Sequence, residues 1–107
     1  MSEAPKSQVL KLANLVSYQE GSVVSRQITK ADAGNVTLFA FDAGQELSEH
    51  TAPFDALAHI VEGEVEIRVS GKPYLLKAGE VIIMPAKEPH AVKAKTKFMM
   101  LLTMIRA

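Results

Sequence analysis

The chain of 107 residues has three histidines, His50, His59 and His90, and no cysteine. Without a thiolate, imidazole is the strongest transition-metal ligand available and the natural proton carrier near neutral pH. The lack of cysteine also removes disulfides and Cys-based zinc sites. Carboxylates lie close by in sequence, Glu49 beside His50 and Asp55 a few residues on, and both read as surface or turn residues. Ser48, His50 and Asp55 sit too near one another along the chain for the separated geometry of a hydrolytic triad. The glycines are scattered singly and no Gly-x-Gly occurs, so no phosphate-cradling loop is present. What remains is metal or ligand binding by imidazole, provided the fold brings the rings together.

The elements that must do so read as strands. Hydrophobic residues make up 48% and charged residues 22% of the chain, an ordinary globular balance. Short apolar runs punctuated by Gly, Pro and Asp predict strands over Val23 to Thr29, Asn35 to Asp42, Leu57 to Val61, Glu64 to Val69, Tyr74 to Leu76, Val81 to Met84, His90 to Ala94 and Phe98 to Ile105. Val9 to Val16 reads either as a first strand or as a leading arm. Ser70-Gly71 predicts a tight hairpin, and Pro85 stops the strand before it. The alternation of Val65, Ile67 and Val69 with Glu64, Glu66 and Arg68 marks one dry and one wet face. The organisation expected is one domain over 1–107, with an arm over 1–22 and an all-β barrel core over about 23–105.

Twelve basic and twelve acidic residues cancel to a net charge of +0. Lys93, Lys95 and Lys97 recur at every second residue, as on a solvated strand edge, and a nucleic-acid partner is not expected. No apolar run approaches the ~20 residues of a membrane span. The polar N-terminus lacks a signal-peptide pattern, so a cytoplasmic location is expected. The last strand is apolar on both faces, Phe98, Met100, Leu102 and Met104 against Met99, Leu101 and Ile105. A barrel interior accounts for one face only. A second copy of the chain is the simplest cover for the other, and a homodimer is expected; the N-terminal segment folding across that face is the alternative.

The stretch from Gly44 to Ala94 resembles the paired motifs of the cupin superfamily. The first family motif runs Gly, five residues, His-x-His, three or four residues, Glu, six residues, Gly. Gly44, His50 and Gly63 match it, while Ala52 and Ala56 stand at the second His and the Glu. The second runs Gly, five residues, Pro-x-Gly, two residues, His, three residues, Asn. Gly79, Pro85 and His90 match, with Lys87 and Ala94 at the remaining Gly and Asn. The resemblance implies a double-stranded β-helix, or jelly-roll barrel. It also implies a site in which family members hold a divalent metal through three His and one carboxylate.

Two of those four ligand positions, His50 and His90, keep a ligand here. His59 would add a third if a bulge near Pro53 shifts strand parity; in an unbroken strand it points outward, toward a dimer interface. If the two alanines face inward they open volume, giving a pocket bordered by Phe39, His50, Ala52, Phe54, Ala56, Ala58, Ile60, Met84 and His90. Two functions follow as expectations. One is a metal-dependent enzyme of dioxygenase or isomerase type using iron, manganese, nickel or zinc. The other is a metal-free module binding a small sugar or carboxylate.

Overall fold

The structure, a computed structural model, describes residues 3–106. An arm with one short 3-10 turn, Leu12–Asn14, leads into β1 (Val23–Ala31), β2 (Gly34–Phe41), β3 (Glu46–His50), β4 (Phe54–Glu62), β5 (Glu64–Val69), β6 (Lys72–Lys77), β7 (Val81–Met84), β8 (His90–Ala94) and β9 (Phe98–Arg106). The strands form two antiparallel sheets, a five-stranded one in the order β1-β2-β9-β4-β7 and a four-stranded one in the order β3-β8-β5-β6. This is the all-β jelly-roll expected. No helix is long and apolar enough to cross a membrane among the described residues.

Local chemistry sets the corners. Ser70 and Gly71 both have positive φ, 50° and 80°, which makes the β5–β6 connection the primed turn that matches strand twist. Gly63 carries the chain from β4 in one sheet to β5 in the other at φ 83°. A Cβ there would lie 2.1 Å from the Lys97 carbonyl oxygen, so only glycine fits. The sequence reading found most strands but missed β3, whose residues Glu-Leu-Ser-Glu-His are largely exposed. An edge strand of this kind carries little hydrophobic period to detect.

Between the sheets lies the main core, built from Phe41, Ile60, Val65, Ile67, Met84, Phe98 and Met100, with Phe41 and Phe98 stacked 4.5 Å apart. A second, smaller core lies on the outer face of the five-stranded sheet. There Val16, with Leu12, Leu15 and Tyr18, packs on Leu38, Ala40 and Met99. The arm is tied down by the Tyr18 hydroxyl donating to Glu62 Oε1 at 2.5 Å and by the Ala4 amide donating to the Ile28 carbonyl at 3.0 Å. Burial and the Glu62 carboxylate both push the Tyr18 phenol far above its ordinary pKa. Val9 to Val16 is therefore an arm and not a strand. It covers part of the face for which a second copy was the expected cover. The rest of that face is bare: Val81, Ile83 and Ile105 are 55%, 63% and 58% exposed.

Candidate functional site

The site grows from a bulge. β3 pairs with β8 in the register Glu46–Lys93 and Leu47–Val92, then slips, so that His50 stands opposite His90. An extra residue in one strand re-aims the side chains beyond it. On β8 the alternation is regular, with His90, Val92 and Ala94 facing the interior. The two rings meet edge to face with centroids 4.3 Å apart, and their Nε2 atoms are separated by 3.1 Å. His90 is 7% exposed whereas His50 is open to solvent. The pair therefore sits at the rim of the barrel, one ring in and one ring out.

Each ring is held from behind. His50 Nδ1 lies 2.9 Å from the Ser48 carbonyl oxygen, and His90 Nδ1 lies 3.3 Å from the Glu88 carbonyl oxygen. A carbonyl only accepts, so each Nδ1 carries the proton it donates. In the neutral rings both Nε2 atoms then carry lone pairs, and they lie 3.1 Å apart. A shared proton, or a cation lying off the line between them, would relieve the repulsion of two such lone pairs. Burial lowers the pKa of His90, and the neighbouring His50 ring lowers it further, against a smaller opposing effect of the Glu88 carbonyl.

The segments carrying the histidines are braced against each other. The Lys87 amide donates to the Ala52 carbonyl at 2.8 Å, with Lys87 in the left-handed region at φ 69°. Asp55 Oδ1 accepts from the Ala86 amide at 2.9 Å, and the Ser70 hydroxyl donates to Glu88 Oε2 at 3.0 Å. Asp55 and Glu88 are thus engaged in holding the loops.

The other expected site residues are placed differently. Ala58 and Ile60 are fully buried, and Ala56 and Met84 are 2% exposed; all four belong to the main core. Ala56 lies in register between Met84 on β7 and Met104 on β9. Flexible methionines pack beside an alanine that no longer fills its own position. Phe39 is half-buried against the core at 6.1 Å from Phe41, and Phe54 is half-buried with the Arg106 guanidinium 5.5 Å from its ring centroid. Ala52 lies in the β3–β4 connection. Of the residues expected to border a pocket, Ala56, Ala58, Ile60 and Met84 thus pack in the main core, Phe39, Ala52 and Phe54 are half-buried, and the imidazole pair lies at the rim.

His59 does not join the pair. β4 has no irregularity between Phe54 and Ile60, so His59 alternates with the buried Ala58 and Ile60 and lies on the outer face with Leu57, opposite Val81 and Leu101. The bulge falls before His50, not after Pro53. Among the described residues no group of three or more His, Cys, Asp or Glu side chains is placed to hold a metal ion. What sequence reading missed is the pair of orienting carbonyls, each two residues before its histidine. Any residue supplies a carbonyl, so no residue type signals it.

The spacing of two nitrogens 3.1 Å apart fits two ligands side by side on one cation, given metal–nitrogen bonds of about 2.0–2.1 Å. Donation of the far ring nitrogen to a carbonyl is also how metal-bound histidines are normally oriented. The residues present would offer a metal two donors, fewer than the three protein ligands of an ordinary catalytic zinc site.

Comparison with known proteins agrees with the fold. The cupin domain family matches residues 37–106. A conserved protein of unknown function from Streptococcus pyogenes is 33% identical, with 100% of this chain and 96% of that chain covered and a TM-score of 0.91. A cupin superfamily protein from Desulfitobacterium hafniense is 29% identical, with 99% and 97% covered and a TM-score of 0.90. A Cupin 2 conserved barrel domain protein from Leptotrichia buccalis is 41% identical over 91% of this chain, which spans only 47% of that longer chain, with a TM-score of 0.87. No curated protein matches. The matched motif positions, the two-sheet barrel and these likenesses together show that the chain belongs to the cupin family.

Proposed function

We propose that this cupin binds a small molecule at the His50–His90 pair, with a divalent transition metal held by the two Nε2 atoms. The observation that carries this is the fixed tautomer. Both Nδ1 atoms face carbonyls, which leaves the two Nε2 atoms as acceptors 3.1 Å apart. Iron, manganese, nickel and zinc all accept imidazole. A cation held there would polarise an oxygen of the ligand, as an isomerase-type reaction needs, and a redox-active one would supply the electron transfer of a dioxygenase-type reaction. The protein's own part is to orient the two rings and to keep one of them dry.

The test is metal content. Protein purified without a metal-binding tag is expected to bind one metal per protomer. His50→Ala and His90→Ala are expected to weaken binding more than the roughly 10–100-fold that loss of an orienting partner costs. Metal retention indifferent to both changes overturns the reading. A second reading is favoured by the small donor count: the pair shares a proton instead of a metal and holds a small sugar or carboxylate without catalysis. Binding of such a ligand by metal-free protein, lost in the same variants, would support it.

We also propose a homodimer, with the second copy on the bare half of the five-stranded sheet. Leu57, His59, Val81, Ile83 and Ile105 adjoin in register there. None of these five side chains is an acid, lysine or arginine, so two copies can meet there with little like-charge repulsion. Light scattering is expected to give twice the chain mass for the wild type and a single chain for Ile83→Lys. A wild-type monomer at micromolar concentration overturns the idea.

A further inference from the structure

We propose that each copy of the homodimer seats its Ile83 in a hollow beside β1 and β2 of the other, an arrangement that buries His59 of both copies and makes the dimer open in acid. This rests on the homodimer proposed above and adds how the copies fit and what that fit responds to.

The first ground is shape. The outer face of the five-stranded sheet has a knob at one edge and a hollow at the other. The knob is Val81 and Ile83 on β7, both more than half exposed. The hollow, of about 260 Å³, is lined on this face by Thr29, Ala31, Gly34, Val36, Thr103 and Ile105. Val36 and Thr103 share the face of Leu38 and Leu101, two residues along the same strands. Ala31 and Gly34 pair in register and contribute almost no side chain, which leaves the space open. Thr29, Val36, Thr103, Leu57 and Ile83 form one row across all five strands. β9 is the central strand of the order β1-β2-β9-β4-β7, so knob and hollow lie about two strand spacings, roughly 10 Å, to either side of it. A two-fold axis lying above β9 and parallel to it sets Ile83 of each copy over the hollow of the other. A two-fold contact needs a patch that complements itself, and a knob and a hollow in one row supply that. An unrelated partner would use each feature once, whereas a second copy uses both twice.

The second ground is His59. It lies in the next row, between Leu101 on β9 and Val81 on β7, within the area that the knob and the hollow bracket. Among the described residues the histidine rings that form hydrogen bonds are those of His50 and His90, at the barrel rim. The acids around His59 are engaged elsewhere. On its own strand Asp55 accepts from the Ala86 amide and Glu62 from the Tyr18 hydroxyl of the arm. Glu80, which precedes Val81 on β7, accepts from the Lys77 amide at 2.7 Å. β9 presents Leu101 and Thr103, which carry no charge. Arg26 ends the row of His59 on β1, three strands away, with its guanidinium at the Leu15 carbonyl. A neutral imidazole can be covered in such a place. An imidazolium covered by apolar surface without a counter-charge is costly, and imidazole gains its proton within the physiological range. The second copy thus excludes two protons, one from each His59.

The experiment is sedimentation equilibrium of the full chain at about pH 8 and about pH 5.5, on either side of an ordinary imidazole's titration. At the higher pH the wild type is expected to be a dimer, and Ile83→Lys and Ala31→Glu are each expected to be monomers. An equimolar mixture of the two variants is expected to form a 1:1 dimer, since one contact then pairs opposite charges and the other is unchanged. Both positions are exposed, so each variant is expected to melt like the wild type. At the lower pH the wild-type Kd is expected to rise, by up to about 100-fold per pH unit for two excluded protons. His59→Gln is expected to dimerise equally at both. A wild-type monomer at the higher pH overturns the homodimer and this inference with it. A wild-type dimer whose two variants stay apart on mixing overturns the seating of Ile83. A wild type insensitive to acid, or a His59→Gln dimer that weakens as the wild type does, overturns the burial of His59 and leaves the dimer standing.

Discussion

Along the outer face of the five-stranded sheet, the half carried by β1, β2 and the start of β9 is covered, and the half carried by β4, β7 and the end of β9 is bare. Both halves are built from similar apolar residues. Leu38, Ala40 and Met99 are buried because Leu12, Leu15 and Val16 lie on them. Val81, Ile83 and Ile105 are more than half exposed because nothing among the described residues covers them. An apolar strand face thus states a need for a partner without saying which partner meets it. The same contrast recurs within the site, where His90 is enclosed and His50 is open although both rings belong to one pair.

The contrast is broken most strongly by removing a covered side chain. Leu38→Ala is expected to cost about 2–5 kcal/mol in urea unfolding, the range for a truncated core leucine. Ile83→Ala is expected to cost less than about 1 kcal/mol in dilute protein, as for an exposed side chain. Equal losses at the two positions would mean that the bare half is covered in solution even at the lowest concentration used.

A smaller effect is expected from loosening the cover itself. Tyr18→Phe removes the hydroxyl that reaches Glu62 and is expected to cost about 1.5–3 kcal/mol, as for a hydrogen bond to a charged group. Cleavage by a protease within residues 3–22 should speed up accordingly, since the arm opens before the barrel does. Unchanged cleavage would show that Val16 and Leu15 hold the arm without the tyrosine.

The smallest effect is electrostatic. Burial lowers the pKa of folded His90 below the roughly 6.5 of an unfolded histidine. The unfolded chain then binds more protons in the window just below 6.5. The His90 contribution is therefore fully present above that pH and is lost as pH falls through it toward the folded pKa. Thermal melts of metal-free protein should drop in Tm across that window, and His90→Gln should flatten the drop. A wild-type Tm rising as the pH falls there would show that the folded pair holds a proton more tightly than an unfolded histidine does, and would overturn the lowered pKa of His90.

Much of the barrel was legible because its signals are local. Gly63 must be glycine where the chain changes sheets, Ser70-Gly71 makes a turn that its own φ angles define, and Val81–Met84 and His90–Ala94 appear as strands at the bounds read from the sequence. β3 was not legible, because a short exposed edge strand has little pattern of its own and is a strand only through its pairing with β8. Of the site, the two histidines were found by their motif positions. Their contact depended on a slip in register, and their tautomers on carbonyls that no residue type announces.

By itself, then, the sequence determined that strands, corners and two motif histidines would be present, since each follows from residue type and spacing. Only the tertiary structure decided that a bulge before His50 brings the rings to 3.1 Å, that His59 points away, that methionines pack beside the alanine at position 56, and that the arm covers half a face and leaves the other half. Those outcomes are set by which surfaces meet across the fold, and a one-residue slip or a neighbouring side chain changes them without altering any local pattern.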